Sequence, residues 1–276
     1  IAPIYKYLRK HNKKVFLGAF GMDYYWVHEN ITRMPLRYSD FNIGNRLRND
    51  EPAMRERRDW IGTAKESLNK MIAEDCDGII AGLYEYWACY GPLFPHKTTF
   101  IPFPIKPKTQ PMAYQEGSAP HPLRLFIGIS KGRSAYKGTD IMLEAAQAIK
   151  TKYPHLVELR IAEGVPFNQY TQMRNGSDAI LGQLYSYTPS MNPLEAMSRG
   201  IICVGGGEPE NYDILGDNDL RPIINVEPTR ESVYNALEWM ATHLDEMPRL
   251  QAESIAYTER YHHYVKVAQQ YLDFYQ

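Results

Sequence analysis

Three short stretches in the back half, and one near the front, hold the residues whose types and spacing could do chemistry. In SKGRSAYKG, the cations Lys131, Arg133 and Lys137 are interleaved with Gly132 and Gly138, which permit tight backbone geometry. Three cations in one loop suit a diphosphate, because charge-assisted hydrogen bonds to its oxygens are strong. They suit a solvated basic turn as well. The loop is neither a Walker-type phosphate loop nor the GxGxxG dinucleotide turn. In SMNPLEAMSRG, Asn192, Pro193 and Glu195 read as N-cap, first and third helical positions, with Glu195 reaching back to the cap. Such a helix start also favours anions, and a carboxylate there can accept hydrogen bonds from two ribose hydroxyls. In GGGEPEN, Gly206 and its neighbours let the backbone approach a ligand, and Glu208 and Glu210 are placed to meet sugar hydroxyls; a mobile surface turn is the plainer reading. Near the front, GAFGMDYYW sets Gly21 and Asp23 before three aromatics, a carbohydrate platform or a core edge.

The order of elements places these loops. The front part reads as a helix (Ile4 to His11), a strand KVFLGAF, and an amphipathic helical segment from Pro52 to Ala73. Two more strands follow, DGIIAG and TTFIPFPI, the second ending in prolines. KPKTQPMAYQEGSAPHP is rich in proline and polar residues and marks the best domain boundary. Beyond it strands and helices alternate: PLRLFIGIS, a helix across Asp140 to Lys150, LVELRIA, DAILGQLY, a helix from Pro193, IICVG and PIINV, with two or three helices closing the chain. That alternation predicts a parallel sheet covered on both faces, an α/β domain of Rossmann type. Ligands in such sheets bind at the carboxyl ends of the strands, where all three loops fall, so one site is expected.

The bulk numbers exclude several classes. A chain of 276 residues with 44% hydrophobic and 23% charged residues is long enough for one large or two medium globular domains. A net charge of −1 argues against a general nucleic-acid binder. Residues 1–117 carry 17 Lys/Arg against 13 Asp/Glu, and the remainder 14 against 19. The basic excess in front suits an acidic acceptor, an anionic membrane surface or simply a solvated face. Cys76, Cys89 and Cys203 lack CxxC spacing, which points to a reducing compartment, and the histidines are scattered except for His262 and His263, so no metal site is spelled. His262 and His263 read as solvated or packing residues of the last helix. No apolar run is long enough to span a bilayer and no leader is legible, so a cytoplasmic protein is expected, at most touching the inner face of the membrane.

The succession of strand, basic loop ending Lys137-Gly138, helix, two strands, PLEAMSRG and a glycine-rich turn resembles the C-terminal half of retaining glycosyltransferases of family 4 (group 1). LEAMSRG followed by IICVGGG is the most specific match, and YKGTDIMLEAAQAI the second. The resemblance covers Leu123 to Val226 well, and ESIAYTERYHHYVKVAQQYLDFY is similar to that fold's C-terminal helix. It implies a GT-B type α/β fold of two facing Rossmann-like domains, the N-terminal one incomplete. The implied domains are an acceptor-side domain at 1–117, a nucleotide-sugar domain at 118–258, and a helix crossing back at 259–276. It also implies a donor such as a UDP- or GDP-sugar, a glycan or lipid-linked acceptor in bacterial polysaccharide synthesis, retention of configuration, and no metal or other cofactor.

By the same resemblance Lys131 and Lys137 meet the diphosphate, with Lys131 where the family carries Arg, and Glu195 holds the ribose. Arg133, Gly138, Ser190, Met191, Asn192, Leu194, Gly206 and Glu208 fall on the donor side, and Gly21 and Asp23 on the acceptor side. Tyr187 stands where the family's first glutamate, which attends the donor sugar, is expected. That departure keeps a second reading open, a non-catalytic sugar-nucleotide-binding subunit. A GT-B nucleotide-sugar epimerase or phosphorylase is a third, without an acid/base pair or cofactor lysine motif to support it.

Overall fold

The computed structural model describes residues 2–107, 121–130, 132–217 and 219–276. Lys131 and the boundary expected between residues 117 and 118 lie outside the described residues. The chain divides into two compact units, one of the residues up to Phe103 together with Val267–Gln276, the other of Pro104–Lys266.

The first unit runs α1 (Ala2–His11), β1 (Phe16–Ala19), α2 (Tyr24–Thr32), a small antiparallel pair β2 (Asn42–Ile43) and β3 (Arg46–Leu47), α3 (Glu51–Trp60), α4 (Ala64–Asp75), β4 (Gly78–Ala81), α5 (Tyr84–Tyr90) and β5 (Thr98–Phe100). Strands β1, β4 and β5 form a parallel sheet in that order. The strand read as Thr98 to Ile105 stops at Phe100, because Pro102 and Pro104 bring no N–H to a ladder. The amphipathic stretch from Pro52 to Ala73 is two helices rather than one. Gly62, at φ 72°, lets the chain turn, and Thr63 caps α4 by accepting from the Lys65 N–H. Glu66 accepts from the Gly62 N–H at 2.7 Å, so TAKE works as a variant of the capping box in which the glutamate meets the N–H one residue before the cap. The end of the chain completes this unit. Val267 packs with Ile80 and Ile101, and the Phe274 ring lies so close to Gly78 that a Cβ there would stand 2.7 Å from it.

The second unit runs β6 (Leu123–Ile129), α6 (Ser134–Lys137), α7 (Thr139–Lys152), β7 (Val157–Glu163), α8 (Phe167–Asn175), β8 (Ala179–Leu181), α9 (Met191–Met197), β9 (Ile202–Gly205), α10 (Pro209–Leu215), β10 (Ile224–Asn225), α11 (Arg230–Thr242) and α12 (Met247–Tyr261); the last helix, α13 (Tyr264–Tyr275), belongs to the first unit from Val267 on. Its five strands are all parallel, in the order β10-β9-β8-β6-β7. The first strand lies inside the sheet, with the second on one side and the third on the other. The order therefore reverses at β6, and the loops at its carboxyl end diverge into a crevice. Leu125 and Ile127 of β6 are fully buried in a core shared with Met142 and Ile149 of α7 and Leu237 and Met240 of α11. The closing segment is broken at His262, which is 5% exposed, and its carbonyl accepts from the Ile105 N–H at 2.6 Å. His262 is thus a packing residue. Among the described residues no helix is long and apolar enough to cross a membrane.

One ion pair sets the register of β6 against β8. Asp178, 2% exposed, accepts from the Arg124 guanidinium at 2.6 and 3.0 Å and from the Arg124 backbone N–H at 2.9 Å. Truncating one partner of a buried pair is costly, and here the remaining guanidinium keeps some access to water. Asp178→Ala is expected to lower the unfolding free energy by about 3 kcal/mol, the low end of the range for such pairs. Urea denaturation with an unchanged slope checks this; a loss well under 1 kcal/mol, the scale of an exposed pair, contradicts it.

Candidate functional site

The loop after β6 leads into the single turn α6 and then α7. Gly138 joins the two helices at φ 71°, and a Cβ there would come within 2.6 Å of Leu184 Cβ. The Lys137 carbonyl accepts from the Leu184 N–H at 2.9 Å, which ties this loop to the one after β8. Lys137 lines a cavity of about 400 Å3 between the ends of β6 and β7, with Ser130, Gly164, Val165 and Tyr170. Arg133 is exposed, its guanidinium 5.4 Å from the centre of the Tyr136 ring.

The start of α9 differs from the capping pattern read in the sequence. Ser190 is the N-cap residue, not Asn192, so Pro193 falls at the third helical position and Glu195 at the fifth. The reason is Arg174 at the end of α8. This arginine is 1% exposed, and a buried guanidinium must be met by acceptors. Asn192 Oδ1 accepts from it at 2.8 Å and Glu195 Oε2 at 3.0 Å, while Asn175 Oδ1 accepts at 3.2 and 3.3 Å. Glu195 is therefore drawn away from the cap and into an ion pair. Asn192 Nδ2 donates in turn to the Tyr170 hydroxyl at 2.7 Å. Glu195 stays one-third exposed and lines a second cavity, of about 350 Å3, together with Arg174, Asn192, Met191, Phe167 and Lys106. Phe167 is 78% exposed and Met191 47%. Leu194 is fully buried and serves the core; its N–H bonds the Ser190 carbonyl, so Met191 and Asn192 supply the backbone N–H groups at this helix start.

The glycine-rich turn plays a different part from the one expected. A Cβ on Gly206 would stand 2.2 Å from the Ser186 carbonyl oxygen, and one on Gly207 would meet Ile223 at 2.8 Å. The glycines let this turn press on the loop after β8, and Gly206 is buried in that contact. Glu208 is 6% exposed, accepts from Asn225 Nδ2 at 3.1 Å, and donates its N–H to the Tyr187 carbonyl. Tyr187 is 1% exposed. Glu210 lies in the first turn of α10. Of the donor-side residues, then, Lys137 and Glu195 line adjoining cavities, joined by the Tyr170–Asn192 bond, while Gly206, Glu208 and Leu194 are held by chain packing. Sequence reasoning missed Arg174 and Tyr170 because it assigned no element between LVELRIA and DAILGQLY; FNQYTQMRN is polar nearly all round and carries little apolar periodicity.

In the first unit Gly21 and Asp23 line a separate cavity of about 460 Å3 with Trp60, Leu68, Asn69 and Ile72. Asp23 is the N-cap of α2, accepting from the Trp26 N–H at 2.8 Å, and also accepts from the Tyr90 hydroxyl at 2.8 Å. Burial in these largely apolar surroundings raises its pKa to about 6, against the pull of those hydrogen bonds. Among the described residues no three metal-ligating side chains stand close enough to hold an ion.

Two α/β units on parallel sheets, the second with its diverging loops at a strand-order reversal, give the chain a GT-B type of fold. Solved structures share it. Sucrose-phosphate synthase from Thermosynechococcus elongatus matches with a TM-score of 0.64 and 13% identity, over 99% of this chain and 70% of that one. A mutant of S. aureus TarM, in complex with fondaparinux, alpha-GlcNAc-glycerol and UDP, matches with a TM-score of 0.58 and 10% identity, over 78% of this chain. Anabaena HepE in complex with UDP matches at 0.54 and 12%, over 77% of this chain and 68% of that one. The chain spans about half the length of TarM, 47%. No protein-family model matches the sequence, and no curated protein does.

The Asp23 carboxyl makes stability depend on pH. Its proton is held more tightly in the folded chain than at the ordinary carboxylate value of about 4. The stability it contributes is full below about pH 4 and is lost as the pH rises through about 6. Asp23→Asn keeps a capping acceptor but does not titrate. The melting temperature of the variant is expected to gain on that of the wild type between pH 4 and 6.5, then run parallel above. Parallel melting curves across the whole range, followed by circular dichroism, refute the assignment.

Proposed function

We propose that the chain is a glycosyltransferase that moves a sugar from a nucleoside-diphosphate sugar to a glycan or lipid-linked acceptor. One observation carries this reading: the Lys137 cavity and the Glu195 cavity adjoin at the carboxyl end of the second sheet, an ammonium in one and a fixed carboxylate in the other. A diphosphate needs cations, and a ribose needs an acceptor for its two hydroxyls; two adjoining cavities with these groups suit one nucleotide lying across both. Phe167 and Met191 offer apolar surface to a planar base at the mouth of the Glu195 cavity. In the transition state, positive charge grows on the anomeric carbon and negative charge on the leaving diphosphate. Lys137, with Arg133 and Lys131 from the same loop, stabilises the leaving charge, the type of electrostatic preorganisation that often dominates catalysis. Fixed cations then do what a metal ion does elsewhere, and the resemblance to family 4 carries the retaining outcome. Gly21 and Asp23 are assigned to the acceptor or the transferred sugar. The UDP bound in TarM and HepE makes UDP-sugars the first donors to try, with GDP-sugars next. Three buried free cysteines support a cytoplasmic setting, and the front basic excess supports contact with an anionic membrane face.

A second reading, a non-catalytic sugar-nucleotide-binding subunit, is favoured by Tyr187. A buried phenol at 1% exposure replaces the carboxylate the family uses beside the donor sugar. Tight binding of a donor without transfer to any glycan or lipid-linked acceptor would decide for that reading.

Binding is checked first. A thermal-shift screen over UDP-, GDP-, ADP- and dTDP-sugars is expected to show one nucleotide raising the melting temperature, since a ligand at a hundred times its Kd stabilises by about 2.7 kcal/mol. Lys137→Ala is expected to weaken that nucleotide at least tenfold, about 1.4 kcal/mol. Unchanged affinity in the variant removes Lys137 from the diphosphate, and no shift with any nucleotide overturns the donor site.

A further inference from the structure

We infer that the Tyr170 hydroxyl is a second donor to the ligand in the Lys137 cavity, so that this cavity takes an anion of the phosphate or diphosphate class. The inference deepens the reading proposed above and rests on it for the identity of the nucleotide, but not for the anion itself.

The argument is one of hydrogen-bond polarity. Arg174 is buried and can only donate. Its Nη1 reaches Asn192 at 2.8 Å, so the amide must turn its oxygen toward the arginine. The amide nitrogen then points the other way and donates to the Tyr170 oxygen at 2.7 Å. A phenol oxygen that receives this bond keeps its own proton for another partner. Tyr170 lines the cavity that holds Lys137, and burial holds its pKa above the ordinary tyrosine value, so the proton stays on. A fixed chain of donors therefore runs from Arg174 through Asn192 to Tyr170 and ends at the cavity. What lies there must accept, and beside an ammonium that acceptor is an anionic oxygen.

Local packing keeps the phenol in place. Its ring meets Phe126 edge to face at 5.1 Å and 87°. The hydroxyl lies over Gly128, where a Cβ would stand 2.6 Å from it. Any other residue at 128 would push the phenol off the end of β6.

Tyr170→Phe removes the hydroxyl and little else. Isothermal titration calorimetry of the wild type and the variant with inorganic pyrophosphate, UDP and uridine separates the outcomes. Pyrophosphate and UDP are expected to weaken by the same factor, at least fivefold, with uridine unchanged. Equal pyrophosphate affinity in the two proteins overturns the inference, as does absence of pyrophosphate binding by the wild type. A loss that includes uridine to the same degree overturns it too, since it marks general damage to the fold. If the wild type binds pyrophosphate in a Tyr170-dependent way but no nucleotide, the anion site stands and the glycosyltransferase reading falls.

Discussion

Everything at the candidate site depends on one buried guanidinium. Arg174 cannot accept a hydrogen bond and has almost no contact with water, so its N–H groups must all be met from within. Asn175 satisfies it from its own helix, and the first turn of α9 supplies Asn192 and Glu195. That demand moves the cap of α9 to Ser190 and turns a would-be capping glutamate into a paired carboxylate facing a cavity. It also orients an amide whose direction decides which way a tyrosine proton points. A single charge taken out of water thus organises two adjoining cavities.

The loops around that charge are held by contacts that leave little freedom. Gly138 sits against Leu184 while the Lys137 carbonyl takes the Leu184 N–H, so the loops after β6 and β8 are fixed to each other. Gly206 lets the turn after β9 press on the Ser186 carbonyl, and the Glu208 N–H reaches the Tyr187 carbonyl. Binding groups carried on loops are useful only when a rigid frame sets their geometry. Here the frame is the parallel sheet, and the glycines let successive loops touch backbone to backbone.

Asp23 in the first unit shows the same economy of residue use as Glu195. It caps α2 and accepts from Tyr90, yet it remains on the wall of a largely apolar cavity. Burial there disfavours its charge and brings its titration toward neutrality, where a carboxyl can exchange a proton.

Much of the fold was legible in the residues. Period-two and continuous apolar runs located the strands of both sheets, the alternation of strands and helices required a parallel sheet, and cations and a carboxylate stood in the loops that follow strand ends. Lys137 and Glu195 could be named as candidates from their loops and from the resemblance those loops carry. The polar helix α8 could not, because periodicity sees only helices with an apolar face, and Phe167–Asn175 has little of one. Gly62 and the Thr63–Glu66 box were local signals, masked by an apolar pattern that runs through both helices. The sequence by itself determined the strands of the two parallel sheets, several of the helices and which loops carry charge, since these follow from residues a few positions apart. Only the tertiary structure decided that Arg174 would pair with Glu195, that Asn192 would turn its amide to Tyr170, and that Gly206 would press on the loop after β8. Those partners come from different elements of the chain, and nothing but the packed sheet brings them within hydrogen-bond reach.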